Sequence, residues 1–317
     1  MRSLILAAVL ATFAASAVHG QAFPAKPIRF LTTGVGGSND IAARTVAQGL
    51  SDSVGWNVVV DNRGSTIVSA EMTARAAPDG YTLLVATDGL WRGQYFQKMP
   101  FDPLRDFSPI TMVTRSPNIV VVHPSMPIKS MKELVALAKA KPGQLNYGAG
   151  AIGASTHLAS ELFNIMAGVK IVHVPYKSSG LAAVAIVSGQ LEVMFGTTGT
   201  VANHAKSGRL RALAISTAEP SPLMPGLPTI AAAANLPGYE SASTSGIFAP
   251  AGASPTLIKR LHEEVTRVLA RPEVKERIFN QSLDVVGGMP EEVTAFMKSD
   301  MATTAKIVQT LGIRAER

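Results

Sequence analysis

Two glycine-rich segments of the sequence combine residue types that could bind an anion. The first reads LTTGVGGSND over residues 31–40 and follows an apolar run that predicts a buried strand. Its glycines allow a sharp turn, and Ser38, Asn39 and Asp40 are typical of the start of a helix. A helix start offers free N–H groups and the positive end of the helix dipole, which favour carboxylates and phosphates. The same pattern also fits a tight strand-to-helix turn without a ligand.

The second segment repeats this arrangement over residues 146–157, which read NYGAGAIGASTH. A predicted strand again leads into glycines, then into hydroxyl side chains and a predicted helix. One such segment is weak evidence for a ligand. Two in one chain predict a ligand that is held between them.

A third candidate is the polar segment TDGLWRGQYF, residues 87–96, which follows a predicted buried strand at 81–86. Ligands of open α/β sheets lie beyond the carboxyl ends of the strands, so this loop is well placed. Trp91 would form a pocket wall, and Arg92 would bind a distal carboxylate of the ligand. Two alternatives stay open: Trp91 packs down beneath an ordinary surface loop, and Asp88 pairs with Arg92.

Tyr176, Thr197 and Thr198 follow two later predicted strands and are weaker candidates. Tyr176 either touches the ligand or packs in the core. The threonine hydroxyls either bind the ligand or cap a helix.

Signatures of enzymes are weak or missing. Residues 34–37 read GVGG, which is not the full dinucleotide-binding fingerprint, although Asp61 lies near the distance expected for its acidic residue. No G-x-S-x-G segment occurs, and Ser155 and His157, two positions apart on one predicted helix, do not face each other. His157 is expected to cap or pack in the first turn of that helix. The histidines have no metal-ligand spacing, so we expect no catalytic residue, no cofactor and no metal.

The composition fits a secreted globular protein. Hydrophobic residues make up 47% and charged residues 16% of the chain, which argues against disorder. Cysteine is absent, which excludes disulfides and thiolate metal sites. Residues 1–22 have the pattern of a cleaved secretory signal peptide. The net charge is +7, but the basic residues are scattered and aromatic residues are only 6%, so a small acidic ligand is favoured over nucleic acid.

Strands alternate with helices along the chain, which predicts an α/β protein with parallel sheets. Proline-rich residues 99–109 and 220–237 are predicted to be loops. Helices are predicted near residues 255–269, 272–281 and 290–311, with proline at or near the first position of the first and third.

Short motifs from about residue 23 to the end of the chain then point to a known family. They are KPIR at 26–29, GGSND at 36–40, NR at 62–63, AAPDGYTL at 76–83, HVPYK at 173–177 and LPGY at 236–239. With these spacings the chain resembles the Bug (TctC-like) family, the substrate-binding receptors of tripartite tricarboxylate transporters. Several motifs in order make the resemblance more specific than any single one.

The resemblance implies a two-domain periplasmic-binding-protein (Venus flytrap) fold, in which each domain is a mostly parallel sheet flanked by helices. The expected division is a signal peptide at 1–22, domain 1 at 23–123 plus 246–317, and domain 2 at 124–245. Hinge-like closure is expected near His123 and Ser245.

The resemblance also implies that two loops hold a ligand carboxylate in the interdomain cleft, partly through backbone amides and bridging waters. With the candidates named above, the expected ligand-binding residues are Thr33, Gly36, Gly37, Ser38, Asn39, Asp88, Trp91, Arg92, Gly148, Ala149, Gly150, Ile152, Gly153, Ser155, Thr156, Tyr176, Thr197 and Thr198.

The implied function is a periplasmic solute-binding receptor, expected to be a monomer, that delivers a small organic carboxylate to the permease subunits of a tripartite tricarboxylate transporter. Gly196 replaces the aspartate common in the family, which argues against a ligand that needs its ammonium paired. We therefore expect a non-amino carboxylate, aromatic or dicarboxylic, with Trp91 and Arg92 at its far end. A secreted α/β enzyme or a signalling receptor using the same cleft are the alternatives.

Overall fold

The computed structural model describes residues 23–33, 35, 38–150, 153–176 and 178–312. The strands are β1 (Ile28–Thr32), β2 (Val58–Asn62), β3 (Thr82–Thr87), β4 (Phe107–Val122), β5 (Asn146–Ala149), β6 (Val172–Pro175), β7 (Val193–Thr197), β8 (Arg211–Ile215), β9 (Ala242–Pro250) and β10 (Asp284–Gly287). The helices are α1 (Ser38–Val54), α2 (Thr66–Ala74), α3 (Gly89–Arg92), α4 (Met131–Ala140), α5 (Ser155–Ala167), α6 (Ser179–Val187), α7 (Thr198–Lys206), α8 (Ile230–Ala234), α9 (Pro255–Ala270), α10 (Pro272–Asn280) and α11 (Pro290–Leu311).

The first sheet has the strand order β2–β1–β3–β9–β4–β10. Strands β2, β1 and β3 are parallel, whereas β9 is antiparallel to both β3 and β4. Helices α1, α9 and α10 cover one face through apolar side chains such as Val46, Val265 and Ile278. Helices α2, α3 and α11 cover the other face, where Trp91 and Val293 are buried.

The second sheet has the order β8–β4–β7–β5–β6, in which β7, β5 and β6 are parallel and β4 is antiparallel to β7 and β8. Helices α4, α5 and α8 pack on one face around Tyr147, Phe163 and Phe195. Helices α6 and α7 pack on the other face around Met194 and Val201.

Strand β4 belongs to both sheets. Up to Pro117, which lies opposite Ala242, it pairs with β9, and from Asn118 onward it pairs with β7 and β8. The change of partners therefore lies a few residues before His123 and Ser245, where the crossings were expected. The division into two domains at these positions stays a prediction.

The directions of the strands bring two sets of loops face to face. Strands β3 and β4 are both antiparallel to β9, so β3 runs in the same direction as β4, toward the second sheet. Strands β1 and β2 are parallel to β3 and therefore end on the same side. Strands β5, β6 and β7 run against β4 and end on the side of the first sheet. Both glycine-rich segments thus follow strands whose carboxyl ends point toward the other sheet, which is the usual position of a ligand in α/β proteins.

The predicted α/β class is confirmed, with parallel outer strands and antiparallel strands at the crossing. The prediction that residues 99–109 form a loop throughout is wrong, because β4 begins at Phe107. Pro109 is tolerated there because the pairing with β9 shifts register between Pro109 and Thr111, where a proline costs no regular ladder hydrogen bond.

Two other loop predictions are also corrected. Residues 220–237 contain α8, whose start is capped by the Thr229 side chain accepting from the Ala232 N–H (3.2 Å). Residues 87–96 contain α3 and a 3₁₀ turn, Gly93–Tyr95. Both helices are too short to show a helical period in the sequence.

No helix within the described residues has the length and apolar character needed to cross a membrane. The predicted signal peptide, residues 1–22, lies outside those residues.

Candidate ligand-binding site

The first candidate loop leaves β1 at Thr32 and enters α1 at Ser38. Its start is fixed by neighbouring elements. The Thr32 carbonyl accepts from the Arg63 N–H (2.7 Å) and from the Ser69 hydroxyl (2.9 Å). The Thr33 carbonyl accepts from Nδ2 of Asn62 (2.6 Å). Asn62 and Arg63 therefore support the loop from the end of β2.

The polar side chains at the start of α1 are buried. Asn39 is 4% exposed and donates through Nδ2 to Oγ1 of Thr33 (3.2 Å). Its Oδ1 has no hydrogen-bond partner among the described residues. The Asp40 carboxylate accepts from Nδ2 of Asn62 and from Nε of Arg44, both at 2.9 Å. The charge of Asp40 is thus balanced by a cation before any ligand enters.

The second candidate loop leaves β5 at Ala149 and enters α5 at Ser155. The Gly150 N–H donates to Oγ1 of Thr156 (3.1 Å), and the Gly153 N–H donates to Nδ1 of His157 (3.2 Å). Side chains in the first turn of α5 therefore accept hydrogen bonds from the loop that precedes the helix. Ala154 stands at the N-cap and supplies no side-chain acceptor for the first N–H groups of the helix.

Three rings lie behind this loop, those of the buried His157 and Tyr147 and of the partly buried His173, and we call them the imidazole cluster. The rings of His157 and His173 are 4.5 Å apart, and the ring of Tyr147 stacks on His173 at 5.0 Å. The backbone of Gly150 lies near His173 and opposes the effect of burial on the pKa of that ring. Burial, together with the neighbouring His173, lowers the pKa of His157 to about 4. Burial also lowers the pKa of His173, so both rings are neutral at pH 7.

The imidazole cluster is anchored to α5 through Tyr147. Its hydroxyl donates to Oε1 of Glu161 (2.5 Å), which is buried. Burial and the nearby Glu161 carboxylate raise the pKa of Tyr147. Asn164 also donates to Glu161, through Nδ2 at 3.3 Å.

We call the first sheet with its helices the first half and the second sheet with its helices the second half. The two halves touch at Phe96, which follows the 3₁₀ turn after α3. Gly153 has φ +85°, and a Cβ there would lie 2.7 Å from the Phe96 ring. Glycine is thus required at 153 both by the left-handed backbone and by the aromatic ring of the other half. Gly148 is confined differently, since a Cβ there would lie 2.3 Å from Leu191.

Asp88, Arg92 and Asp300 form a buried group that we call the ionic cluster. Arg92 donates through Nε and Nη2 to the two oxygens of Asp300 (both 2.7 Å) and through Nη1 to Asp88 (2.8 Å). Trp91 is 0% exposed, and its indole N–H also donates to Asp300 (2.7 Å). Burial raises the pKa of Asp88 to about 6, against the opposing effect of Arg92.

These contacts give Trp91 and Arg92 partners within the protein, and their expected roles as pocket wall and ligand guanidinium stay predictions. The alternatives in which Trp91 packs down and Asp88 pairs with Arg92 are confirmed. The sequence did not reveal this because Asp300 lies 208 positions from Arg92.

The end of β7 carries hydroxyl groups that contact one another. Oγ1 of Thr197 lies 3.1 Å from Oγ1 of Thr200, which lies 3.4 Å from Oγ of Ser179. Thr198 instead donates to the carbonyl of Ser282 (2.7 Å), so it links α7 to the first half. Tyr176 is partly buried and packs near Gly148.

The structure thus assigns the predicted residues to four places: the first loop, the second loop, the ionic cluster with Asp88, Trp91 and Arg92, and the ends of β6 and β7 with Tyr176, Thr197 and Thr198. Thr33, Ser38 and Asn39 lie at the first loop, whereas the second loop contains Gly148, Ala149, Gly150, Gly153, Ser155 and Thr156. Gly36, Gly37 and Ile152 lie outside the described residues. Asn62, Phe96 and His173 were not predicted. Asn62 and His173 stood within the NR and HVPYK motifs, but no spacing rule connects them to the glycine loops.

The mixed α/β fold, with its curled central sheet flanked by helices and these facing loops, is that of periplasmic binding proteins. The family model described as "Tripartite tricarboxylate transporter family receptor" (TctC) matches residues 42–313. The chain therefore belongs to the TctC family.

Relatives match over nearly the whole chain. A UPF0065 protein from the tcbD–tcbE intergenic region of Pseudomonas sp. strain P51 is 31% identical, over 100% of this chain and 96% of its own. BugT of Bordetella pertussis is 32% identical over 98% of each chain. The solved structure of R. palustris Rpa4515 with adipate has a TM-score of 0.78 and 30% identity, and the match covers 93% of this chain and 100% of that one.

Proposed function

We propose that this chain is a periplasmic receptor that captures a small non-amino carboxylate between its two glycine loops for a tripartite tricarboxylate transporter. The observation that carries the proposal is the pair of helix starts, at Ser38 and Ser155, that directly follow strands ending toward the opposite sheet. Such helix starts favour anions. Family membership supports the transport role, and export by the predicted signal peptide would place the protein in the periplasm.

The second loop is the better defined half of this site. Ala154 leaves the first N–H groups of α5 without a side-chain cap, so a ligand carboxylate can accept from them. In the first loop, the buried Oδ1 of Asn39 can accept from a hydroxyl or a water beside the ligand. Binding without chemical change is supported by the family, a receptor family, and among the described residues of the two loops no nucleophile lies beside a base.

The class of ligand is inferred from position 196, near the end of β7. A Cβ at Gly196 would lie 2.4 Å from Cγ1 of Val201, so an aspartate at this position would not fit without rearrangement. No acidic group is then available from this position for a ligand ammonium. Because R. palustris Rpa4515 was solved with adipate, a dicarboxylate is the first class to test.

The test is calorimetric titration and thermal unfolding of the mature protein, after refolding to remove bound solutes. The panel contains dicarboxylates including adipate, tricarboxylates, aromatic acids and amino acids. Binding to the folded state raises the melting temperature by mass action. We expect a rise with one class of non-amino acids, and none with adipamide, which has the shape of adipate without its charges. Equal effects of adipate and adipamide, or no effect of any acid, would overturn the proposal.

Two further measurements separate the alternatives. An enzyme would convert the bound acid, so NMR of the ligand recovered after long incubation must show it unchanged. A transport receptor must also stimulate uptake of that acid in membrane vesicles that contain the cognate permease, whereas a receptor used only for signalling would not.

A further inference from the structure

A cavity of about 400 Å³, separate from the two glycine loops, lies where β4 and β9 cross between the two sheets. We call it the crossing cavity. Its walls include Met112, Arg115 and Thr244 of the crossing strands, Leu158 and Leu162 of α5, and Phe296 of α11. No described residue of the two glycine loops lines it. The volume lies within the range of small-molecule sites.

Two buried hydrogen-bonding groups of this cavity have no partner among the described residues. Oγ1 of Thr244 is one, in a residue that is 5% exposed, and Nε of Arg115 is the other. Arg115 and Thr244 lie directly opposite each other on β4 and β9, so their side chains share one face of the sheet. A buried polar group without a partner is costly. The two donors together favour one acceptor oxygen between them.

The charges around the cavity disfavour an anion. The charged residues that line it are two arginines, Arg92 and Arg115, and two carboxylates, Glu240 and Asp300. The guanidinium of Arg115 already contacts Glu240 (3.2 Å), and that of Arg92 already contacts Asp300 and the more deeply placed Asp88. An added carboxylate would therefore find no unpaired cation among these lining residues. The apolar walls, meanwhile, favour a hydrocarbon body.

We propose that the crossing cavity is a second binding site, for a small uncharged molecule with an apolar, aromatic body and a carbonyl oxygen. The oxygen accepts from Nε of Arg115 and from the hydroxyl of Thr244. The body lies against Leu158, Leu162 and Phe296. Because Leu158 and Leu162 belong to the second half and Thr244 to the first, the bound molecule bridges both halves at the crossing.

The probe is benzamide, followed by amide NMR shifts of the mature protein with and without excess adipate. We expect benzamide to shift signals of β4 and β9 around Arg115 and Thr244 whether or not adipate is present. Benzoate, which has the same shape but a negative charge, should bind more weakly. This result does not depend on the proposed function, because the carboxylate panel tests the glycine loops separately.

Thr244→Val removes the hydroxyl at nearly constant shape and should weaken benzamide binding about tenfold, as expected for one buried hydrogen bond. Ser243→Ala, on the opposite face of the same strand, is the matched control and should leave the affinity unchanged. Thermal unfolding shows whether each variant is folded. If Thr244→Val destabilises the fold, Leu162→Trp tests the site by filling the cavity, and should abolish binding.

Three results would overturn the proposal. One is the absence of benzamide shifts up to its solubility limit, and another is equal affinity of the wild type, Thr244→Val and Leu162→Trp. The third is a crystal structure grown with benzamide that contains only water between Arg115 and Thr244.

Discussion

The ionic cluster lies beyond the end of β3 in the first sheet, whereas the imidazole cluster joins β5, β6 and the start of α5 in the second. The ionic cluster satisfies a guanidinium with two carboxylates and ties α3 to α11. The imidazole cluster uses neutral rings, and its His157 accepts from the backbone N–H of Gly153 in the second loop. The ionic cluster therefore joins two helices, whereas the imidazole cluster supports a loop.

The two clusters therefore predict different effects of mutation, one on the stability of the fold and the other on ligand affinity. A set of ion pairs that joins two helices holds the fold together, so its loss should cost stability. A cluster that contacts the backbone of a candidate site should change ligand affinity and respond to pH. The four predictions below test this distinction.

Arg92→Ala should have the largest effect, a loss of about 3–5 kcal/mol in the free energy of unfolding, because it leaves Asp88 and Asp300 buried without their cation. Urea denaturation measures this loss. The control is Arg75→Ala, which removes a pair with Glu71 in which Arg75 is 76% exposed, and should change little.

The affinity of the same variant for the carboxylate found in the panel should stay unchanged. If Arg92→Ala does not fold, Asp300→Asn offers a milder test of the same cluster. A folded variant with wild-type stability and weakened carboxylate binding would show that Arg92 serves the ligand after all.

The imidazole cluster predicts loss of stability in acid. The pKa of His157 falls from 6.5 to about 4 on folding, so the unfolded chain binds more protons between these values. The contribution of His157 is fully present above pH 6.5 and is lost as the pH falls toward 4, by about 3 kcal/mol in total. Protonation also puts a hydrogen on Nδ1, which can then no longer accept from the Gly153 N–H.

The measurement is urea denaturation of the wild type and His157→Gln from pH 4 to 7. Asp88, whose pKa is raised, contributes a slope of the opposite sign below pH 6. This contribution is common to both proteins and cancels in their difference. Parallel curves for the two proteins would contradict the prediction.

Tyr147→Phe should cost about 1.5–3 kcal/mol of stability, because the buried Glu161 loses a donor and hydrogen bonds to charged groups are the stronger ones. Tyr239→Phe is a matched control, since its equally buried hydroxyl donates to the neutral carbonyl of Ala159 (2.8 Å). Its loss should be nearer 1 kcal/mol. Equal losses for the two variants would mean that the carboxylate adds nothing.

Thr156→Val should have the smallest effect on stability, about 1 kcal/mol, because only the bond from the Gly150 N–H is lost. Its effect on carboxylate affinity should be larger, about tenfold, since the second loop is then less fixed. Ser160→Ala removes a buried hydroxyl one turn later in α5 and should not alter affinity. Unchanged affinity in Thr156→Val would separate this loop from ligand binding.

The local sequence was sufficient for the features that depend on neighbouring residues. Alternating apolar runs gave most strands, and the turn glycines and first-turn polar residues marked the two loops. Gly168 ends α5 in the left-handed conformation, with φ 61°, which glycine adopts readily. The prolines at 255 and 290 begin their helices as expected, and Pro272 begins α10 in the same way. These features follow from backbone torsions and periodicity, which short segments carry by themselves.

Which side chains meet could not be predicted from local sequence. Asp300 pairs with the guanidinium of Arg92 although the two residues are 208 positions apart in the sequence. Thr244 of β9 lies opposite Arg115 of β4. His157 and His173 become a pair only because β5 and β6 lie side by side. The physical reason is that a side chain's partner is set by proximity in space after the sheets have formed. The sequence therefore predicted where a ligand would be held, and the structure decided which polar groups support that site and which support the fold.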